Sequence, residues 1–352
     1  MASLRRPGWV LVGVGALTLL LGIGVALRRT SRVQTPSTIR IDGSSTVFPF
    51  TEAAIEEFSA SGRAAGTTFR LSQSGTTAGF RRFCSGDTAI SNASRPINTK
   101  ELEQCRRAGV EFIELPVAFD AISVVVHPSN TWARTISIEQ LRRLWNKDAQ
   151  GKVEQWNQVD PQWPERPIRL FGPGADSGTY DYFNKAVNGD PTNTRTDVVT
   201  SEDDNVLVDA VAQDPLAMGY FGFEYLQSNR DRIKPLALIQ SDGSAVLPSV
   251  EAVQSDTYRP LARPIFLYVN DEQLQSSRAL RAFIEDTVAN ASRIATRAGA
   301  IPLIDSTYRL TESKVYKRVR GTAYDGRLPI GLTLGEVLNR SLDQDKKPEF
   351  RG

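Results

Sequence analysis

Apolar positions switch three times from a period of two to a period near four, and each switch has the same layout. Ile39-Arg-Ile41 alternates as a strand, Asp42-Gly43-Ser44-Ser45-Thr46 interrupts it, and Phe50, Ala54 and Phe58 follow at helical spacing. Phe69-Arg-Leu71 leads into Ser72-Gln-Ser74-Gly75-Thr76-Thr77 and then a helix carrying Phe80 and Phe83. Ile168-Arg-Leu170 leads into Gly172-Pro-Gly-Ala-Asp176-Ser177-Gly178-Thr179 and then a helix with Tyr180, Phe183 and Val187. Each unit reads as strand, small polar turn, helix, and the chain as α/β.

Two longer apolar runs divide the chain. Val117–Val126, broken by Asp120, and Arg263-Pro-Ile-Phe-Leu-Tyr-Val269 have strand character. Between them lies a self-contained α/β stretch with helix signals at Ser137–Trp145 and a turn-rich region at Gln150–Pro167. The runs read as two hinge crossings, with one lobe of residues 38–117 plus 263–330 and the other of 118–262. Residues 331–352 read as a peripheral tail ending in a charged stretch. The first two junctions then belong to one lobe and the third to the other, so a ligand held by all three lies in a cleft that closes by hinge motion.

The junctions favour anions. The first turn of a helix has backbone N–H groups without intrahelical partners, and the helix dipole adds partial positive charge there. Glycine lets a ligand approach the backbone, and Ser and Thr hydroxyls add rotatable donors. One such turn implies only a capped helix, since Ser and Thr are ordinary N-caps. Three in one α/β chain imply an oxyanion site, because such turns at the carboxyl ends of strands line the ligand crevice. The anion's charge requires a cation, and Arg95 in Ser94-Arg95-Pro96 is the candidate, held extended by the following proline and able to clamp an oxyanion bidentately. Its alternative is a surface arginine.

Composition narrows the class. The chain has 352 residues, 40% hydrophobic and 23% charged, enough for two domains with real cores. Residues 1–34 carry five of the 42 basic residues and no acid, leaving 37 basic against 40 acidic in the body. A near-neutral body argues against a nucleic-acid partner. Arginines bracket the apolar run at residues 8–27, which reads as a secretory signal or an uncleaved anchor rather than a buried core helix. Cys84 and Cys105 are an even pair in an exported chain and are expected either as a disulfide or as two free buried thiols. Two Cys and the single His127 cannot supply a usual zinc set, so no metal or cofactor is expected. Ser177 has no evident base partner, which argues against an enzyme.

The segments IDGSSTVFPFTEAAIEEF, SGTTAGFRRFCSGDTAISNASRPI, ELPVAFDAISVVVHP, GPGADSGTYDYF, SEDDNVLVDAV and GYFGFEYL occur in this order. Over residues 38–330 the chain resembles the phosphate-binding proteins of ABC-type phosphate transport, in the branch that carries SRPI and GPG-x-DSGT. The resemblance implies a two-lobed periplasmic-binding-protein fold of type II, each lobe a mixed sheet flanked by helices, and a monomer that delivers inorganic phosphate to an inner-membrane permease. A tethered sensor or scavenger, or a binder of sulfate or molybdate, is the alternative. Carried over by position, the site is Ser45, Thr46 and the Val47 amide; Ser74, Gly75 and Thr76; and Ser177, Gly178 and Thr179. Where many members have an Arg four residues before the DSGT serine, this chain has Pro173, and where they have an Asp acceptor it has Ser94. Arg95 then stands in for the cation. Asp120 is the candidate acceptor for the phosphate proton, or else a hinge residue bonding backbone amides. Asp176 comes second as an acceptor and reads better as an N-cap, while Asp204 and Asn205 are either a buttress of the cleft or, on the sequence alone, a solvated acidic turn.

Overall fold

The structure, a computed structural model, describes Ala2 and residues 37–346. The segment read as a signal or anchor and the end of the tail lie outside the described residues. Among those described, no helix is long and apolar enough to cross a membrane.

Two five-stranded mixed sheets carry the fold. The first has the order Thr67–Leu71, Ser37–Gly43, Ile90–Ala93, Ala262–Asn270, Phe112–Ala121; its first three strands are parallel, and Ala262–Asn270 is antiparallel to both neighbours. The second has the order Lys234–Pro235, Ser123–Val126, Ala217–Phe221, Arg169–Gly172, Val199–Thr200. A small third sheet joins Ala245–Val246, Ala237–Ile239 and Thr135–Ser137.

The chain crosses between the two large sheets at two adjacent points. Ile122 separates Phe112–Ala121 from Ser123–Val126, and Leu261 precedes Ala262–Asn270. The Ile122 N–H donates to the Leu261 carbonyl at 2.8 Å, and the Tyr258 hydroxyl donates to the Ile122 carbonyl at 2.8 Å. The run Val117–Val126 is therefore two strands of different sheets, broken where Ile122 is bonded away from both ladders. Every residue of Phe112–Ala121 and Ala262–Asn270 is buried, which is why both read as continuous apolar runs instead of alternating ones.

Helices follow the strands as their apolar spacing predicts. α1 (Phe48–Ala60) buries Phe50, Ala54 and Phe58, and α2 (Thr76–Cys84) buries Phe80 and Phe83. α3 (Thr99–Arg107) starts with a capping box of Asn98 and Glu101, and α4 (Ile138–Trp145) with one of Ser137 and Gln140. α5 (Gly178–Asn188) buries Phe183 and Val187, with Tyr182 rather than Tyr180 completing the face. α6 spans Asp204–Gln213 and α7 Phe223–Ser228.

The segment expected as a peripheral tail is packed. Thr333 and Glu336 cap a helix, Leu334–Lys346, that buries Leu334, Val337, Ser341 and Gln344 on one face. Two of those four positions are polar, which hides the stripe in the sequence. Upstream of the helix, the Gly331 N–H donates to the Tyr182 hydroxyl at 2.9 Å.

Cys84 and Cys105 form a disulfide that ties the end of α2 to α3. Closing a loop of this length stabilises by about 3 kcal/mol on chain-entropy grounds. Reduction should lower the denaturant midpoint of the full chain accordingly; a midpoint unchanged under complete reduction would show that the bond adds nothing to stability.

Candidate functional site

Asp42 organises the first two junctions. Its buried carboxylate accepts the Gly43 N–H at 2.8 Å, the Ser74 N–H at 3.1 Å, the Ser74 hydroxyl at 2.7 Å and Arg82 Nη1 at 2.8 Å. Gly43 has φ +138°, and a Cβ there would overlap the Asn92 carbonyl, so only glycine fits. Ser45, Thr46 and Val47 form a single 3₁₀ turn before α1. Gly75, with φ +89°, donates its N–H to the Gly43 carbonyl at 2.9 Å and starts α2. At the third junction Ser177 caps α5, its Oγ accepting the Thr179 N–H at 3.1 Å.

The third junction is pressed against the other two. Thr46 Oγ1 and Thr179 Oγ1 are 3.0 Å apart, and the Thr77 N–H donates to the Asp176 carbonyl at 2.8 Å. A Cβ on Gly178 would stand 2.6 Å from Thr76 Oγ1 and 2.7 Å from Ser94 Oγ, so a side chain there would hold the halves apart. Thr76 and Ser94 hydroxyls lie 3.2 Å from each other. Ser45, Thr46, Thr76, Ser94, Ser177 and Thr179 are all buried. This is a cluster of rotatable donors drawn from both sheets.

The guanidinium in the cluster belongs to Arg263. Arg263 lies opposite Asp120 in the strand register, and both are fully buried. Arg263 Nε and Nη2 donate to Asp120 Oδ2 at 3.0 and 2.8 Å, Nη2 also to Thr179 Oγ1 at 2.7 Å, and Nη1 to the Gly178 carbonyl at 3.0 Å. Arg95 is turned to other partners. Its Nε donates to Asp181 at 2.7 Å, Nη1 to the Pro96 carbonyl and Glu101, and Nη2 to Glu101 and Thr77 Oγ1. All five of its N–H groups are thereby engaged within the protein. It is buried, not the surface arginine of the alternative reading.

The carboxyls sort in the same way. Asp120 has the contacts of the hinge residue, the second of the two roles considered for it: Oδ1 accepts the Phe223 N–H at 2.9 Å, and Oδ2 is held by Arg263. Asp204, expected in a solvated turn, is buried at the start of α6; Asp203 is the cap, leaving Asp204 to face inward. Ser45 Oγ donates to its Oδ2 at 2.9 Å, while Oδ1 is buried without a partner. Burial, opposed by the Ser45 hydrogen bond and reinforced by Asp120, pushes this carboxyl up to about 7. Glu224 is also buried, both oxygens without partners, and burial followed by Asp120 raises it well above its ordinary range. Asp176 is not the N-cap of α5; Ser177 is, and Asp176 pairs with Arg81 at 2.7 Å. Asn205 bonds Asp203 in the exposed part of the turn.

The structure therefore brings Ser45, Thr46, Thr76, Ser94, Asp120, Gly178 and Thr179 together, with Ser177 capping behind them. Ser74 is bound to Asp42, the Val47 amide turns back to the Ser44 carbonyl at 3.2 Å, and Gly75 serves through its backbone. Arg263 and Asp204 were missed. Both had a signal: Asp120 and Arg263 are the single charges of the two apolar runs Val117–Val126 and Arg263–Val269 and imply a pair, and of two consecutive aspartates at a helix start only one can cap. The single histidine, His127, bonds Ser129 in its own turn, and no described group of three or more His, Cys, Asp or Glu could hold a metal ion. Donors, one guanidinium and an acceptor carboxyl suit a small tetrahedral oxyanion.

A family model describing a PBP superfamily domain matches residues 30–290. Protein SphX of Synechocystis sp. is 43% identical over 93% of this chain and 96% of its own length. The phosphate-binding protein PstS of Staphylococcus saprophyticus is 30% identical over 87% of this chain and 94% of its own. Among solved structures, a possible phosphate binding protein from Planctomyces limnophilus superposes with a TM-score of 0.58 at 32% identity, covering 80% of this chain and 98% of that one.

The two kinds of ion pair differ in what their loss should do. Removing one partner of a fully buried pair leaves an uncompensated charge, costing about 3–5 kcal/mol. Asp120→Ala should therefore destabilise strongly in denaturant titrations. Asp176→Ala breaks a pair whose side chains are 50% and 40% exposed, and should cost at most about 1 kcal/mol. Equal losses would contradict this division.

Proposed function

The chain belongs to the PBP superfamily, among the SphX and PstS proteins, and on that premise we propose that it binds inorganic phosphate outside the cytoplasm and delivers it to an ABC-type phosphate permease. The observation that carries this reading is the meeting of Thr46, Thr76 and Gly178–Thr179 around Arg263. The two large sheets serve as the two lobes, hinged at Ile122 and Leu261. Residues 1–34 serve export of the body, as a signal or as a tether. The protein acts as a receptor and not as an enzyme, in keeping with the phosphate-binding proteins among its relatives.

Within this reading Arg263 supplies the cation, with the hydroxyls of Ser45, Thr46, Thr76, Ser94 and Thr179 and the first-turn amides of α5 around the anion. Arg95 serves closure, because it joins Asp181 of α5 to Glu101 of α3. Selectivity falls to Asp204. Phosphate near neutral pH still carries a proton and sulfate does not. Asp120 has both oxygens occupied, whereas Asp204 Oδ1 is buried and unpartnered. A carboxylate there accepts the phosphate proton and repels a bare sulfate oxygen.

Calorimetry of the purified full chain should show phosphate binding at micromolar or tighter Kd, about −8 kcal/mol or better, and sulfate far weaker. Absence of phosphate binding, or tighter sulfate binding, would sink the assignment. Asp204→Asn should weaken phosphate by about ten- to a hundredfold, the value of a hydrogen bond to a charged group, while narrowing the gap to sulfate. A variant that keeps full discrimination would move the acceptor elsewhere.

A further inference from the structure

A second set of charged contacts joins the lobes away from the hydroxyl cluster, and in each the arginine comes from one lobe and the acid from the other. Arg81 on α2 pairs with Asp176, and Arg95 with Asp181 on α5. A third acid of the second lobe, Glu202, stands between Val199–Thr200 and α6 and has no such arginine. Its Oε1 accepts the Asp176 N–H at 3.3 Å, and its Oε2 is buried without a partner. That oxygen is packed on the first lobe, since a Cβ on Gly75 would lie 2.7 Å from it.

Beyond the Asp176 N–H, the titratable groups that face Glu202 are acids and a tyrosine. Asp176 and Asp181 face it from the third junction and α5, and Tyr220 from the strand Ala217–Phe221. Asp203 and Asp204, next in sequence, are committed to the α6 cap and to Ser45. Arg81 and Arg95 are taken by the other two acids. In the closed protein a charge on the half-buried Glu202 would thus sit beside two acids, with Oε2 enclosed against the Gly75 backbone. Opening withdraws Gly75 and lets water reach the carboxyl.

We propose that Glu202 is a proton switch on closure: it takes up a proton as the cleft shuts on its anion, so acid favours the closed, loaded protein and alkali favours release. The proposal rests on the reading of the cleft as a phosphate site. Burial, opposed by the Asp176 N–H and reinforced by the charges of Asp176 and Asp181, pushes the closed-state carboxyl up to about 7 from an ordinary 4.5. A group raised in the closed state stabilises that state below its open-state value and ceases to do so as pH rises through about 7. Glu202 lies outside the anion's ring of donors and acts only through closure.

Phosphate titrations of the full chain and of Glu202→Gln, each at pH 6 and pH 8, test this. Glutamine mimics the protonated acid at every pH, and the titrations of phosphate and Asp204 cancel in the ratio of the two affinities. That ratio should move about tenfold against the wild type between pH 6 and pH 8. A ratio constant within about twofold, in proteins that bind phosphate, overturns the switch alone; no binding by either protein at either pH overturns the phosphate reading and the switch with it. If the variant fails to fold, carboxyl NMR of glutamate-labelled wild type replaces it. One glutamate midpoint should rise to about 7 on adding phosphate, and a set of midpoints unmoved by phosphate overturns the switch.

Discussion

A guanidinium removed from water and left unpaired would cost about 3–5 kcal/mol, a large share of a domain's net stability, and the cleft is arranged around preventing that at Arg263. Asp120 stands directly across the ladder from it, and Gly178 and Thr179 accept its remaining hydrogen bonds. Asp120 in turn accepts the Phe223 N–H, so one carboxylate fastens the cation and the start of α7 beside the Ile122 and Leu261 crossings. The pair therefore fixes the hinge and aims the cation with the same bonds. It also leaves little net charge in the centre, so the anion must be held by dipoles, hydroxyls and what remains of the guanidinium's field.

That electrostatic balance explains the behaviour of the other buried acids. With Arg263 matched by Asp120, a charge on Asp204 or Glu224 has no cation of its own, and both carboxyls are raised. Asp204 differs from Glu224 in touching a junction hydroxyl, which opposes the upward shift and leaves it at about 7. A carboxyl in that condition can share one proton with an anion that itself carries one.

Much of this was legible in the sequence, and the failures have a common cause. Local signals located the three junctions, the helices after them and the two buried runs, because strand alternation, capping residues and helical spacing are short-range properties. Which charges meet across the cleft is not. Arg95 sits beside the junction motifs in sequence but finds Glu101 six residues on and Asp181 across the cleft, whereas Arg263 is remote in sequence and reaches the site through strand pairing. Asp176 was misread as a cap for the same reason, its partner Arg81 lying on another lobe. The final helix escaped because Ser341 and Gln344 occupy half of its buried face.

The charges of the two lobes divide by when they must be matched. Asp120 and Arg263 lie on paired strands of one sheet, so their contact survives any opening at Ile122 and Leu261. Arg81–Asp176 and Arg95–Asp181 span the lobes and exist only when the cleft is shut. Exposed pairs that span the lobes, such as Arg81–Asp176, add little energy, which suits contacts that must break on every cycle. Arg95 is the intermediate case: Glu101 neutralises it in either state, so Asp181 can leave without stranding a buried cation. Among the described residues Glu202 has no such standby arginine. It is thus the one member of this set whose closed state is matched by a proton instead of an arginine, and closure inherits a dependence on pH that ion pairs alone would not give it.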